Sequence, residues 1–319
     1  MIIVCGDVLI DFIPDKTKDG ADCYCPAPGG SCANISVAIG RLGGAVGFMG
    51  GISTDFWGEK LMEFLETSNV DVRYVARGNQ QTTLAFVELG NEEPAYAFYD
   101  ENTVSRLWVR SQSPGFSDDV NLIHIGSTSL IEPPISESCE QMFRMEKGKR
   151  ILSIDPNCRP SNTHHPAVYR ARMARLTAMA DIIKLSKSDL EFLLPDTRVD
   201  DAAKHWINQG TSIVIITRGS QGVLCYLPGH EVIEVPPDYI DNVVDSIGAG
   251  DTFMAATLTY LQKNGFLTLD KIKTITPAEI TKALKYASVA AAMICERRGA
   301  NPPWEQEVDE RIKRKAIKL

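Results

Sequence analysis

Val244-Asp245-Ser246-Ile247-Gly248-Ala249-Gly250-Asp251-Thr252-Phe253 is the stretch on which the reading of this chain turns. A β-rich run, Glu231 to Val235, precedes it, and Phe253 to Leu261 reads as a helix rich in Ala and large apolar residues. The small residues therefore occupy a helix N-terminus, where the first backbone N–H groups have no partner inside the helix. Those donors and the positive end of the helix dipole form an anion site. Low Cβ bulk at Gly248, Ala249 and Gly250 lets an oxyanion approach the backbone closely. Asp251 adds a carboxylate at the edge of that site, poorly placed to bind phosphate and well placed to take a proton from an attacking hydroxyl. The combination points to phosphoryl transfer to an alcohol, with the N–H groups stabilising charge on the moving group. A Gly-rich turn with Asp251 as a capping acid is the alternative reading. Two other nucleotide sites are excluded. The chain has no Gly-x-x-x-x-Gly-Lys-Ser/Thr loop, and Phe253 stands where the dinucleotide fingerprint needs its third glycine.

At 319 residues the chain is long enough for a sizeable core, as one large α/β domain or two smaller ones. Its 44% hydrophobic and 23% charged content is that of a soluble globular protein. A net charge of −8 without a basic cluster argues against nucleic-acid and anionic-membrane partners. Met1 to Ile13 is apolar but broken by Asp7 and Asp11 and has no basic leader, so neither a signal peptide nor a membrane span is expected. The eight cysteines include no Cys-x-x-Cys pair and the five histidines show no metal-ligand spacing, which disfavours zinc and fits a reduced, cytoplasmic setting.

Short apolar runs at Leu122 to Ile125, Ile151 to Ile154, Ile182 to Leu185 and Ser212 to Ile216 read as buried parallel strands, with helical stretches between them. Met1 to Asp11 reads as one buried strand ending in an acid. Parallel α/β sheets place ligands at the carboxyl ends of strands, so Asp11 is sited to bind or simply to start a turn. Gly29-Gly30-Ser31-Cys32-Ala33-Asn34 opens a helix over Ile35 to Leu42. Its double glycine permits close backbone approach, and the Asn34 amide both donates and accepts. A polyol needs donors and acceptors in pairs, which Asp11 and Asn34 together supply; an N-capped core helix is the other reading. Thr83 to Leu89 and Ala95 to Phe98 alternate as a hairpin around Gly90 to Pro94. Strands alternating with helices, with that hairpin set apart, predict a doubly wound α/β fold, its mostly parallel sheet covered by helices on both faces, plus a small β-sheet.

The run Asp245 to Thr252 resembles the C-terminal signature of the ribokinase-like (PfkB) carbohydrate kinases, Asp-Thr-x-Gly-Ala-Gly-Asp, with Ser246 at the Thr place. Gly29 to Asn34 resembles their N-terminal signature, Gly-Gly-Ala-Pro-Ala-Asn, with Ser31-Cys32 for Ala-Pro. The resemblance implies a single domain over 1–319, with a lid over the sugar from about 12–28 and 83–105. It makes Asp251 the base, with a backbone anion hole over Gly248, Ala249, Gly250 and Asp251 itself, and with ionisation in the ordinary carboxylate range near 4 sufficient at neutral pH. It implies sugar contacts from Asp11, Gly29, Gly30 and Asn34. Phe98 follows in the lid, either reaching the substrate or packing the lid core.

Asp155-Pro156-Asn157-Cys158-Arg159 resembles the Asp-x-Asn-x-Arg segment of fructokinase-like members. Asn157 and Arg159 then contact the sugar or the phosphate, a structural salt bridge being the alternative for Arg159. Ser186-Lys187-Ser188-Asp189 reads first as a capping box. In the family an Asn-x-x-Glu motif near this position is tied to magnesium and phosphate, so the resemblance implies Ser186 at the nucleotide and Asp189 acting on Mg²⁺ through water. Thr217-Arg218-Gly219-Ser220-Gln221-Gly222 resembles the family's Thr-x-Gly-x-x-Gly nucleotide loop, or is a plain hairpin turn. Thr217, Gly219, Gly222, Gly248, Gly250 and, on the Pro277 to Cys295 helix, Ser288 are thereby ATP contacts. The following turn, with Gly299, joins Asp245 and the Ile247 carbonyl at a monovalent cation, K⁺; Pro303 stands where some members carry a hydroxyl. The implied cofactors are ATP and Mg²⁺, and the implied partner is a sugar, with a homodimer through the lid left open. Gly6 to Phe12, Phe98 to Asn102 and Asp155 to Arg159 look most like fructokinases. Kinases of 2-keto-3-deoxygluconate, ribose or nucleosides, and a non-catalytic sugar-binding sensor, are the alternatives.

Overall fold

The computed structural model describes residues 1–88 and 95–319, so the turn expected at Gly90 to Pro94 and the end of the strand expected to reach Leu89 lie outside the described residues. In chain order the strands are β1 (Ile2–Cys5), β2 (Leu9–Lys16), β3 (Asp22–Gly29), β4 (Val46–Ser53), β5 (Val75–Gly78), β6 (Leu84–Glu88) and β7 (Ala95–Tyr99). They continue as β8 (Leu122–Gly126), β9 (Ile151–Asp155), β10 (Ile182–Ser186), β11 (Ile213–Thr217), β12 (Val223–Tyr226) and β13 (Ile233–Val235). The large sheet runs β13-β12-β11-β10-β9-β8-β1-β4-β5. It is parallel from β5 to β11 and antiparallel at β12 and β13.

Every residue of β1, β4, β8 and β9 is buried, as a sheet covered on both faces requires. Side chains of one strand alternate between the faces. Ile2 and Val4 accordingly join the core under the helices Ser31–Arg41, Ala249–Lys263 and Pro277–Cys295. Ile3 and Cys5 join a second core under Ile135–Glu146, Pro166–Thr177 and Val199–Asn208. Each fully buried aliphatic side chain in these layers contributes about 1.5–3 kcal/mol. The doubly wound fold expected from the alternating runs is the fold observed.

Strand order reverses between β8 and β1, because β1 leads to β4 on one side while β8 returns on the other. Such a switch point leaves a crevice at the carboxyl ends of the strands. Over that crevice lies the small sheet, ordered β3-β2-β6-β7. Its registers put Asp11 beside Ala85 and Ala85 opposite Phe98, so these three share the face toward the crevice. Phe12 and Phe86 stack on the other face with ring centroids 4.8 Å apart, and Tyr24 and Tyr99 stand exposed beside them.

Two boundaries differ from the sequence reading. Met1 to Asp11 is not one strand: β1 ends at Cys5, and Asp11 belongs to β2 of the small sheet. The break is made by Asp7, whose carboxylate accepts from Cys32 N (2.9 Å) and Thr128 Oγ1 (3.0 Å) and so turns the chain out of the large sheet. The small sheet accordingly begins at Leu9 rather than near residue 12, and it closes at Tyr99, before the helical turn Val104–Leu107. No described helix is long and apolar enough to cross a membrane.

Candidate active site

Gly248 caps the Ala249–Lys263 helix in the left-handed conformation, φ 77°, a backbone shape that favours glycine. The next residues turn their N–H groups outward. Ala249 N donates to the Ser246 carbonyl (3.2 Å), while among the described residues Gly250 N and Asp251 N meet no protein acceptor. Among the described residues the free N–H groups at this helix end are therefore those of Gly248, Gly250 and Asp251, and the Ala249 N–H expected among them is already engaged.

Asp251 is buried at the base of a cleft of about 390 Å³, roofed by the small sheet. One carboxylate oxygen accepts from Ser31 Oγ (2.7 Å) and Asn157 Nδ2 (3.3 Å), the other from Asn34 Nδ2 (3.0 Å). Burial pushes its pKa above the ordinary carboxylate value, against the Ser31 and Asn34 hydrogen bonds and the nearby Lys184 and Arg159 charges. The expectation of an unperturbed carboxylate is thus corrected: the side chain is buried. Asn34 Oδ1 is buried with no partner, an acceptor left for a donor from the cleft.

Asp11 faces the same cleft from β2. Burial, then the charge of Asp7, pushes its carboxyl up to about 7, with Arg159 opposing and Asp251 adding to the rise. Gly29 and Gly30 act on these acids through what they lack. A Cβ on Gly29 would overlap the Asp11 Oδ2 atom. Gly30 has φ +95°, and its Cβ would lie 2.9 Å from the Asp7 carbonyl oxygen. Phe98 lines the cleft and stacks on Tyr96, ring centroids 5.7 Å apart, so packing and cleft lining coincide at one residue.

The loop after β9 closes the cleft. Asn157 Nδ2 donates to Ser31 Oγ (2.9 Å) as well as to Asp251. The Arg159 guanidinium lies over the Tyr96 ring at 5.5 Å and donates to Asn157 Oδ1 (2.7 Å), forming no salt bridge among the described residues. Asp189 braces this loop from below. Its Oδ1 accepts from Cys158 N (2.6 Å), and its Oδ2 from Ser186 N (2.8 Å) and Ser186 Oγ (2.6 Å). The capping box read at Ser186 to Asp189 is present.

Ser186 and Thr217 end neighbouring strands β10 and β11 as a register pair. Gly219 and Gly222 hold positive φ in the turn between β11 and β12, which is an antiparallel hairpin. Ser288 lies on the Pro277–Cys295 helix with its hydroxyl bonded to the Leu284 carbonyl (2.9 Å). Asp245 ties two segments together, accepting from Ile247 N (2.8 Å) and Gly299 N (2.9 Å). Of these, Gly248 and Ile247 line the cleft that holds Asp251. Among the described residues no group of three or more His, Cys, Asp or Glu side chains is placed to hold a metal.

Four contributors escaped the sequence reading. Ser31 bonds the Asp251 carboxylate, Tyr96 carries Arg159, and Asp7 turns the chain and lines the cleft. Lys184 lies buried in β10 against Asp155, Nζ to Oδ2 2.6 Å. Only the last left a usable signal, a charged residue inside the apolar run Ile182-Ile183-Lys184-Leu185.

A family model described as "pfkB family carbohydrate kinase" matches residues 1–307. A fructokinase of Rhizobium leguminosarum bv. trifolii is 38% identical over 275 residues, 86% of this chain and 84% of that protein. The crystal structure of a Xylella fastidiosa fructokinase with bound ATP superposes with a TM-score of 0.86 at 26% identity, covering 99% of both chains. A Vibrio cholerae O395 fructokinase in a fructose, ADP and calcium ion bound form gives 0.82 at 26% identity, covering 94% of both.

Proposed function

The chain belongs to the pfkB family of carbohydrate kinases, and on that premise we propose that it transfers the γ-phosphoryl group of ATP to a hydroxyl of fructose. The observation that carries this reading is the placement of Asp251. Among the described residues it is the only carboxylate of the cleft that also sits at a free helix N-terminus, between the unpartnered Asn34 Oδ1 and the Gly250 and Asp251 N–H groups. Fructose is favoured because the Rhizobium leguminosarum relative at 38% identity and the Xylella fastidiosa and Vibrio cholerae structures are all named fructokinases.

In this reading the sugar's hydroxyls donate to Asp11 and Asn34 Oδ1, and Arg159 and Asn157 hold its reacting end. Asp251 takes the proton from the attacking hydroxyl, and the oxygen bonds phosphorus as the bond to ADP breaks. The Gly250 and Asp251 N–H groups stabilise the charge on the transferring group. The small sheet acts as a lid that keeps out water, the competing acceptor. Ser186, Thr217, Gly219 and Gly222 border the nucleotide, with Ser288 behind it. Asp189 accepts from Cys158 N and from Ser186 and keeps acceptor capacity on Oδ1 for a magnesium-bound water. The magnesium enters as part of the Mg·ATP substrate, a habit that fits its preference for phosphate and water. A K⁺ ion is proposed beside Asp245, which already brings Ile247 and Gly299 together. The outer aromatic face of the lid, with Tyr24 and Tyr99 exposed, is the surface proposed for a homodimer.

The test is ADP release from Mg·ATP against a panel of fructose, other hexoses, ribose, 2-keto-3-deoxygluconate and nucleosides. Fructose is expected to give the highest kcat/KM. A tenfold preference for another acceptor would move the substrate assignment and leave the chemistry.

Asp11 gives this reading a pH signature. Its sugar-free pKa near 7 means that part of the population is protonated at neutral pH, whereas a polyol donates to the ionised form. Sugar affinity is therefore expected to fall as pH drops below 7, approaching tenfold per unit, with a proton released on binding at pH 6. Calorimetry of fructose binding in two buffers of different ionisation enthalpy measures that proton; binding without release would contradict the assignment of Asp11.

A further inference from the structure

Lys184 is a charge that the proposed chemistry does not yet use. It is 4% exposed and stands on β10 in a strand otherwise apolar up to Leu185. Asp155, at the end of neighbouring β9, is fully buried, and its Oδ2 lies 2.6 Å from Lys184 Nζ. A buried ion pair is weak evidence of stability, because the desolvation of both charges offsets their attraction and apolar replacements are often neutral or better. Burial indeed works against the Lys184 ammonium, and Asp155 is what holds it charged.

Its position is specific. Lys184 Nζ lies 3.1 Å from the point a Cβ on Gly250 would occupy, directly against the backbone whose N–H is unpartnered. Gly250 thus combines an unpartnered N–H with an ammonium packed against its Cα. The pair is also unbalanced. Asp155 Oδ1 is buried with no partner, and Lys184 spends one of its three donors on Asp155, with no other side-chain acceptor among the described residues.

We propose that Lys184 adds a full positive charge to the anion site formed by Gly250 and Asp251, and that Asp155 positions it there. The backbone donors supply direction and partial charge. The ammonium beside them supplies the unit charge needed where negative charge is carried between ADP and the sugar oxygen. It gives up no proton, so the atom balance of the transfer is unchanged. This inference rests on the kinase reading above.

The experiment compares Lys184→Met, Asp155→Asn and the double variant Lys184→Met/Asp155→Asn, each checked by thermal melting. Three quantities are measured: fructose affinity without nucleotide, kcat, and affinity for ADP with aluminium fluoride and fructose. Asp155→Asn keeps an acceptor for the ammonium and is expected within about tenfold of wild type. Lys184→Met and the double variant are expected to keep fructose affinity and lose about 100-fold in kcat, the size of loss typical of one oxyanion-site group. They are expected to lose a similar factor in binding ADP–aluminium fluoride. The double variant separates the explanations, since it leaves no uncompensated buried charge. Recovery of kcat to within threefold of wild type in the double variant would overturn the proposal and make the pair structural. A wild type that phosphorylates no acceptor would overturn the kinase reading and this inference with it, a result distinct from an active wild type with an active double variant.

Discussion

Asp251→Asn is expected to lower kcat by about 10³-fold while leaving fructose affinity within about tenfold of wild type. A positioned general base contributes on the order of 10²–10⁴ in rate, and no second described carboxylate stands at the helix N-terminus to replace it. The site has the means to accept the substitution. The asparagine introduced there would keep an acceptor oxygen for Ser31, and its new amide donor would face Asn34, whose Oδ1 has no partner. Turning the Asn34 amide would then pair the two side chains and present its N–H instead of Oδ1 to the sugar, whose hydroxyls accept as well as donate, so a lost rate is not a lost fold. Burial of the charged carboxylate works against the wild type, as its raised pKa shows, so the variant is expected to melt at the same temperature or higher. Steady-state kinetics, fructose titration and a melting curve on one preparation check all three points. A kcat within tenfold of wild type would remove Asp251 from the role of base.

The second large effect comes from a residue with no side chain. Gly29→Ala is expected to raise the KM for fructose about 30-fold or more, with kcat at saturation within a few-fold. Its Cβ would overlap Asp11 Oδ2, so the carboxylate must leave the cleft face of β2. Losing a hydrogen bond to a charged group costs about 1.5–3 kcal/mol, which is roughly a 10- to 150-fold loss of affinity. Asp11→Ala is expected to give the same KM, and the double variant to be no worse than Asp11→Ala alone, because both substitutions remove one interaction. Additive effects in that cycle, or an unchanged KM in Gly29→Ala, would show that Gly29 and Asp11 do not act through each other.

How the sequence showed its structure depended on the range of the interaction involved. The helix N-terminus at Gly248 to Asp251 is local, because small residues, a left-handed cap and an apolar helical run all lie within one short segment. The apolar strand runs of the large sheet are local too, since burial on both faces demands continuous hydrophobicity. Asp189 was legible as a capping box for the same reason, its partners lying three residues away. Its second bond, to Cys158 N, crosses 31 residues and had no local trace.

The amino-acid pattern by itself determined the doubly wound architecture, the helix end at Gly248 with an acid beside it, and the polar residues Asp11 and Asn34 that line one cleft. Only the tertiary structure decided that Met1 to Asp11 breaks at Asp7 into strands of two sheets, that Ser31 and Asn157 converge on Asp251, and that Lys184 lies against Gly250. It also decided the burial of Asp11 and Asp251, which pushes both carboxyl pKa values up. A side chain's type and its helix or strand setting are written in its neighbours along the chain. Its desolvation and its charge partners are set by segments far away in sequence, and those distances close only when the chain folds.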